Sequence, residues 1–174
     1  MSRPNLAERR EKSIHWLPSG PGTYVLLMEK KPNRNGADAV REIRIGKLGN
    51  LALHPGYYLY VGSAHGPGGL RARLGRHLRR NPTRRWHIDY LKPHAAIVAV
   101  WYLAGTGCYE HLIAGILRED LFGATPLPRF GSSDCDCPAH LFFFATRPEY
   151  ATFCDRLQKR AAGVNVFELI LSIP

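Results

Sequence analysis

Apolar and polar positions along this chain follow two different periods, and the change between them sets out the expected elements. A charged stretch of about twenty residues, read as a basic N-terminal arm over 1–20, closes in Pro18-Ser19-Gly20-Pro21-Gly22. Thr23 to Met28 is then an apolar run of strand length. Pro32-Asn33-Arg34-Asn35-Gly36 carries the Asn-Gly pair of a hairpin turn, and Val40 to Ile45 alternates apolar with charged positions, as a half-exposed strand does. Pro55-Gly56 marks another turn before Tyr57 to Gly62, rich in aromatic and β-branched residues. This first third predicts three strands joined by tight turns, an antiparallel meander.

After the loop His65-Gly66-Pro67-Gly68-Gly69 the period changes. Leu70, Leu74 and Leu78 recur every four residues, giving one apolar stripe on a helix that ends near Pro82. Arg73, His77 and Arg80 share a face beside that stripe. Trp86 to Leu91 is a short element, and Ala95 to Leu103 reads as a strand buried on both faces. A second helix is expected from Tyr109 to Phe122, with Leu112, Ile113, Ile116, Leu117 and Leu121 inward. His140 to Ala145 reads as the last strand of the sheet. Pro148 opens a C-terminal helix reaching Ala162, ahead of an apolar tail, Val164 to Ile173, that packs internally or against a second copy. The fold class is α+β, a small, mainly antiparallel or mixed sheet flanked by helices. The main domain spans 21–147, and 148–174 pack on it.

Composition narrows the function classes. With 174 residues and 45% apolar content the chain is one domain's worth. Its longest apolar run, Ala95 to Ala104, is too short to cross a bilayer. The first twenty residues are charged and lack the apolar centre of a signal peptide. Four cysteines in such a chain point to the cytoplasm rather than to a disulfide framework. Charge is the positive clue. Lys and Arg exceed Asp and Glu by 24 to 14, a net +10, and Arg71, Arg73, Arg76, Arg79, Arg80, Arg84 and Arg85 fall in one acid-free stretch. Arginine's planar fork suits phosphate oxygens, so nucleic acid is the expected partner, DNA ahead of RNA, and no membrane is expected.

Gly22-Thr23-Tyr24 and Tyr60-Val61-Gly62 resemble the two short signatures of GIY-YIG nucleases. Gly62-Ser63-Ala64, Leu70, Arg73, His77 and a later Glu110 follow in the order of that superfamily. As a whole, the chain resembles most closely its uncharacterised branch, domain-of-unknown-function family 123, through IGKLG, YVGSA, GGL, WHIDYL and GSSDCDCPAHLF. The resemblance covers Gly22 to Thr146. It implies a GIY-YIG-like fold with an extra hairpin inserted at about Glu29 to His54. It also implies an endonuclease that hydrolyses DNA phosphodiester bonds with one Mg²⁺ or Mn²⁺. By the same resemblance Tyr24 helps to activate water, Tyr60 supports the phosphate site, Arg73 binds the phosphate, His77 sits near the attacking water, and Glu110 holds the metal.

Physical chemistry sets conditions on those roles. A phenol with an ordinary pKa near 10 is a poor base at neutral pH, so Tyr24 requires a lowered pKa or a relay. The helix bearing Arg73 starts after a glycine-rich loop, which would turn its free N–H groups toward the same phosphate. Ser63 stands where the bacterial excision-repair nucleases carry lysine, and Phe130-Gly131 stands where the superfamily's asparagine is expected. The alternative reading is therefore a catalytically silent nucleic-acid-binding module of the same fold. A second constellation, Asp134-Cys135-Asp136-Cys137-Pro138-Ala139-His140, offers Cys135, Cys137 and His140 to Zn²⁺, with Cys108 as a further thiol. Zinc ranks below a polar loop there, because structural sites space their thiols more widely than Cys-x-Cys. His87 and Asp89 share a face only if Trp86 to Asp89 is extended, and are read as structural or DNA-contacting.

Overall fold

The fold was obtained as a computed structural model, which describes residues 14–32, 40–79 and 84–171. In chain order the strands are β1 (Gly22–Lys30), β2 (Arg41–Ile45), β3 (Gly49–Leu53), β4 (Gly56–Ser63), β5 (Ala96–Ala104), β6 (Leu141–Phe144) and β7 (Phe167–Ile170). The helices are α1 (Gly69–Leu78), α2 (His87–Leu91), α3 (Glu110–Gly115), which continues as a π-helical turn over Ile116–Asp120, and α4 (Tyr150–Arg160). Five strands form an antiparallel sheet in the order β6-β4-β1-β5-β7, and β2 and β3 form a separate hairpin.

Alternation along β1 builds two cores. Tyr24, Leu26 and Met28 face one side with Tyr58 and Tyr60 of β4. That side is covered by Leu70, Leu74 and Leu78 of α1, Ile88 and Leu91 of α2, and Ile43, Ile45, Leu51 and Leu53 of the hairpin. Val25 and Leu27 face the other side with Leu59, Val61 and Trp101, under Ile113, Ile116 and Leu117 and under Phe153 and Leu157 of α4. Burial of β1 and β5 on both faces explains their near-continuous apolar runs. The α+β class and the inserted hairpin are as expected.

The order of strands corrects two expectations. The first strands are not a meander, since β1 pairs directly with β4 and the chain between them leaves the sheet as β2–β3. The reason is visible in Gly49-Asn50-Leu51-Ala52-Leu53, whose alternation supplies Leu51 and Leu53 to the same core as Ile43 and Ile45. Gly46, at φ +50°, turns the hairpin. Nor is β6 the last strand, because part of the apolar tail pairs with β5 as β7 and closes the far edge of the sheet. The Asn35-Gly36 turn, the expected helix stop at Pro82, Arg80, and residues 1–13 of the arm lie outside the described residues. Leu17 is buried in the first core.

Candidate active site

Backbone register brings the two signature tyrosines together. Tyr24 lies opposite Gly62 and Leu26 opposite Tyr60, so both phenols stand on the same face, diagonally across β1 and β4. Gly62 explains itself here: a Cβ at that position would lie 2.5 Å from the Tyr24 hydroxyl. Gly131 does the same for Tyr60, since a Cβ there would meet the Tyr60 ring at 2.7 Å, and its φ of +76° also favours glycine. The tyrosines form the floor of a cleft of about 280 Å³, whose walls include Arg73, Arg85, Glu110 and Asp134.

Each wall residue is placed by a specific contact. The body of α3 packs on the opposite face of the sheet, through Ile113 and Ala114, yet Glu110 in its first turn reaches the tyrosine side. Thr23, fully buried beside Tyr24, fixes that entry by accepting a 3.2 Å hydrogen bond from the Tyr109 amide. Arg73 lies 4.4 Å from the centre of the Trp86 ring and Arg76 lies 3.7 Å from it, both within cation–π range. Arg76 also forms a 2.8 Å ion pair with buried Asp89, whose same oxygen accepts from the Arg85 and Trp86 amides. These contacts tie α2 to α1 and hold the arginines at the mouth of the cleft.

Electrostatics inside the site run against easy ionisation. Burial, with added repulsion from nearby Tyr60 and Glu110, pushes the Tyr24 phenol well above its ordinary range, and Tyr60 is raised for the same chief reason. His77 is 1% exposed, and burial pushes it down to about 3, with the cations of Lys92 and Arg76 adding to the effect. Asp89 is held low: burial alone would raise it, but the Arg76 hydrogen bond and the two amides outweigh that. The Tyr24 hydroxyl lies 2.8 Å from His77 Nε2, while His77 Nδ1 has no partner among the described residues. A proton on Nε2 leaves only a lone pair unpaired at Nδ1, whereas the other tautomer would bury an unpaired N–H. The Nε2–H form is therefore assigned, and it donates to the Tyr24 oxygen. The Tyr24 proton is left to point elsewhere.

Two sets of residues could hold metal. Glu110 and Asp134 both line the cleft and offer hard carboxylate oxygens. Beside them, His111, Cys135, Cys137 and His140 each bring one ligand atom within 4.8 Å of the others. His140 joins the two sets. Its Nδ1 is 3.1 Å from Glu110 Oε1, close but out of line for a hydrogen bond, and its Nε2 is 3.5 Å from Cys135 Sγ. Burial, and then the neighbouring Cys135 thiol, push Cys137 up to about 11.

A sequence model described as "Domain of unknown function DUF123" matches residues 23–162, most of the chain. The chain belongs to the DUF123 family. No curated protein and no solved structure matches it.

In this DUF123 domain the structure brings together Tyr24, Tyr60, Arg73 and Glu110, four of the five residues singled out from sequence. His77 is the exception. It is buried behind Tyr24, 2.8 Å from the Tyr24 hydroxyl, and does not itself line the cleft. The first amides of α1 are also not free for phosphate: Leu70 and Arg71 donate to the carbonyls of Gly20 and Pro18, and Ala72 to that of Gly68. Nor is a lowered Tyr24 pKa available, since burial moves it the other way. Among the other arginines, Arg71 donates to the Leu17 carbonyl, Arg76 is held by Asp89, and Arg84 stands over the Tyr90 ring. Arg79 is exposed and Arg85 lines the cleft. His87 and Asp89 do not pair, because their segment is helical; His87 Nδ1 accepts from the Gly131 amide instead. Cys108 is exposed and stands outside the metal-ligand group, where His111 takes its place. Sequence reasoning missed His111, Asp134 as a cleft residue, and Trp86 as the support of Arg73. Only Asp134 left a signal, as the neighbour of Cys135.

Proposed function

We propose that this protein is a GIY-YIG-type endonuclease that hydrolyses DNA phosphodiester bonds. The observation that carries the reading is that Tyr24, Tyr60, Arg73 and Glu110, from four separate segments, line one cleft with Arg85 at its rim. Arg73 and Arg85 supply charge-assisted donors to the phosphate. The Trp86 ring and the Arg76–Asp89 pair limit the positions that Arg73 can take. Tyr24 and Tyr60 enter as neutral phenols, so their part is to donate hydrogen bonds to a phosphoryl oxygen or to orient a water. The His77 N–H holds the Tyr24 oxygen, which leaves the phenol's own proton available to the cleft that Tyr24 lines. The donor set fits a hard divalent ion: Glu110, with Asp134 on the same cleft, would hold Mg²⁺ or Mn²⁺. When bound, such an ion supplies charge neutralisation at the phosphoryl group and a more acidic water.

Nicking of supercoiled, branched and single-stranded DNA in Mg²⁺ or Mn²⁺ tests the reading. The expected result is metal-dependent cleavage abolished in an Arg73→Ala/Glu110→Ala double variant. Cleavage that survives the double substitution refutes it. A silent binding module is the second reading, and specific features favour it: the raised phenols, the occupied α1 amides and the absence of a lysine at Ser63. It predicts salt-sensitive DNA binding with no cleavage in either metal.

A further inference from the structure

We propose that His111, Cys135, Cys137 and His140 bind one Zn²⁺ ion that holds the segment between the π-helical turn and β6 against the start of α3. Two thiols and two imidazoles are a tetrahedral S₂N₂ set, the donor chemistry of structural zinc. The geometry is close to ready. With Zn–S about 2.3 Å and Zn–N about 2.0–2.1 Å, a tetrahedron puts a sulfur and a nitrogen about 3.6 Å apart. Cys135 Sγ and His140 Nε2 already lie 3.5 Å apart, and all four ligand atoms fall within 4.8 Å. Small rotations of the exposed His111 side chain and the thiols close the rest.

His140 is placed as a zinc-bound imidazole would be, one small ring rotation short of the hydrogen bond that such a ring donates to a carboxylate. Nε2 faces the thiol side while Nδ1 faces the Glu110 carboxylate at 3.1 Å, so a carboxylate lies behind the ligand and favours a proton on Nδ1. The ring is 2% exposed. The segment itself is an ordered irregular loop, anchored by buried Phe130 and Ala139. Between Asp120 and Leu141 the only regular pairing described is the Ala124–Phe143 bridge. A stretch of that length without helix or strand is uncommon in a compact domain and, when ordered, usually carries a function. Arg129 sits at a left-handed φ of +64° and donates to the Cys135 carbonyl at 2.7 Å, so the backbone is bent back on itself beside the two cysteines. The tight Cys-x-Cys spacing is met by that bend rather than by the wider turn of other zinc sites.

The proposal does not depend on cleavage, and its test reads metal rather than DNA. The full chain purified without chelator should contain about one zinc by mass spectrometric metal analysis. X-ray absorption should show two sulfur and two nitrogen neighbours at the distances given above. Cys135→Ser, Cys137→Ser and His111→Ala should each lose most of the bound zinc, while Cys108→Ser and Cys154→Ser keep it. If the ligand variants fail to fold, Co²⁺ exchanged into the wild-type protein still decides the matter, through visible bands of a tetrahedral thiolate site. Wild-type protein that stays metal-free in added Zn²⁺, a Cys135–Cys137 disulfide in its place, or zinc retained by all three ligand variants overturns the proposal.

Discussion

At the residue scale, buried groups with no easy way to ionise dominate the site. His77 is neutral in the folded protein down to about 3, whereas an unfolded histidine takes up a proton near 6.5. Between those values the unfolded state binds the extra proton, so stability is full above 6.5 and is lost as the pH falls toward 3. At about 1.4 kcal/mol per pH unit, the loss from this one group is roughly 5 kcal/mol. Denaturant titrations across that range should show it, and His77→Gln should flatten the curve while keeping a donor for Tyr24. Gly62→Ala pushes a methyl group into the Tyr24 hydroxyl. It should cost about 1–3 kcal/mol by the same titration and lower cleavage further, because Tyr24 must move. The sequence made both tyrosines and Gly62 legible as a motif, but not their ionisation. Burial decides that, and Tyr24 is backed by His77, which packs in turn on Trp86, residues far from it along the chain.

At the element scale, the site depends on where α3 begins. Thr23→Val removes the acceptor of the Tyr109 amide and should destabilise the domain by about 1–2 kcal/mol. Cleavage should drop more than that loss explains, since Glu110 enters the cleft from the same turn. Strands buried on both faces were legible as uninterrupted apolar runs, and the Leu70/Leu74/Leu78 stripe by its regular four-residue spacing. The third strand was not, because five residues between Gly46 and Pro55 resemble a turn until Leu51 and Leu53 are seen to complete the core of Ile43 and Ile45. His111 was invisible for a related reason: a ligand next to Glu110 in a first turn has no periodic mark, and only the fold brings it to Cys135 and Cys137.

At the scale of the whole molecule, a net charge of +10 gives a general attraction for polyanions, and the fold decides which arginines use it. Arg71 and Arg76 are tied to the protein's own carbonyl and carboxylate groups. Arg73 and Arg85 at the cleft, with exposed Arg79 and Arg84, remain to meet phosphates. Four such contacts give a slope of roughly −3 to −4 for log K against log salt in duplex binding. In the proposed function one cleft, floored by two neutral phenols and walled by Arg73 and Glu110, receives the sugar–phosphate link. A crystal structure with Mn²⁺ and a slowly cleaved phosphorothioate DNA would be the decisive observation. The account predicts an anomalous peak at the Glu110 carboxylate and a phosphate within hydrogen-bond reach of Arg73 and Tyr24. DNA bound on another face, with the metal away from Glu110, would contradict it.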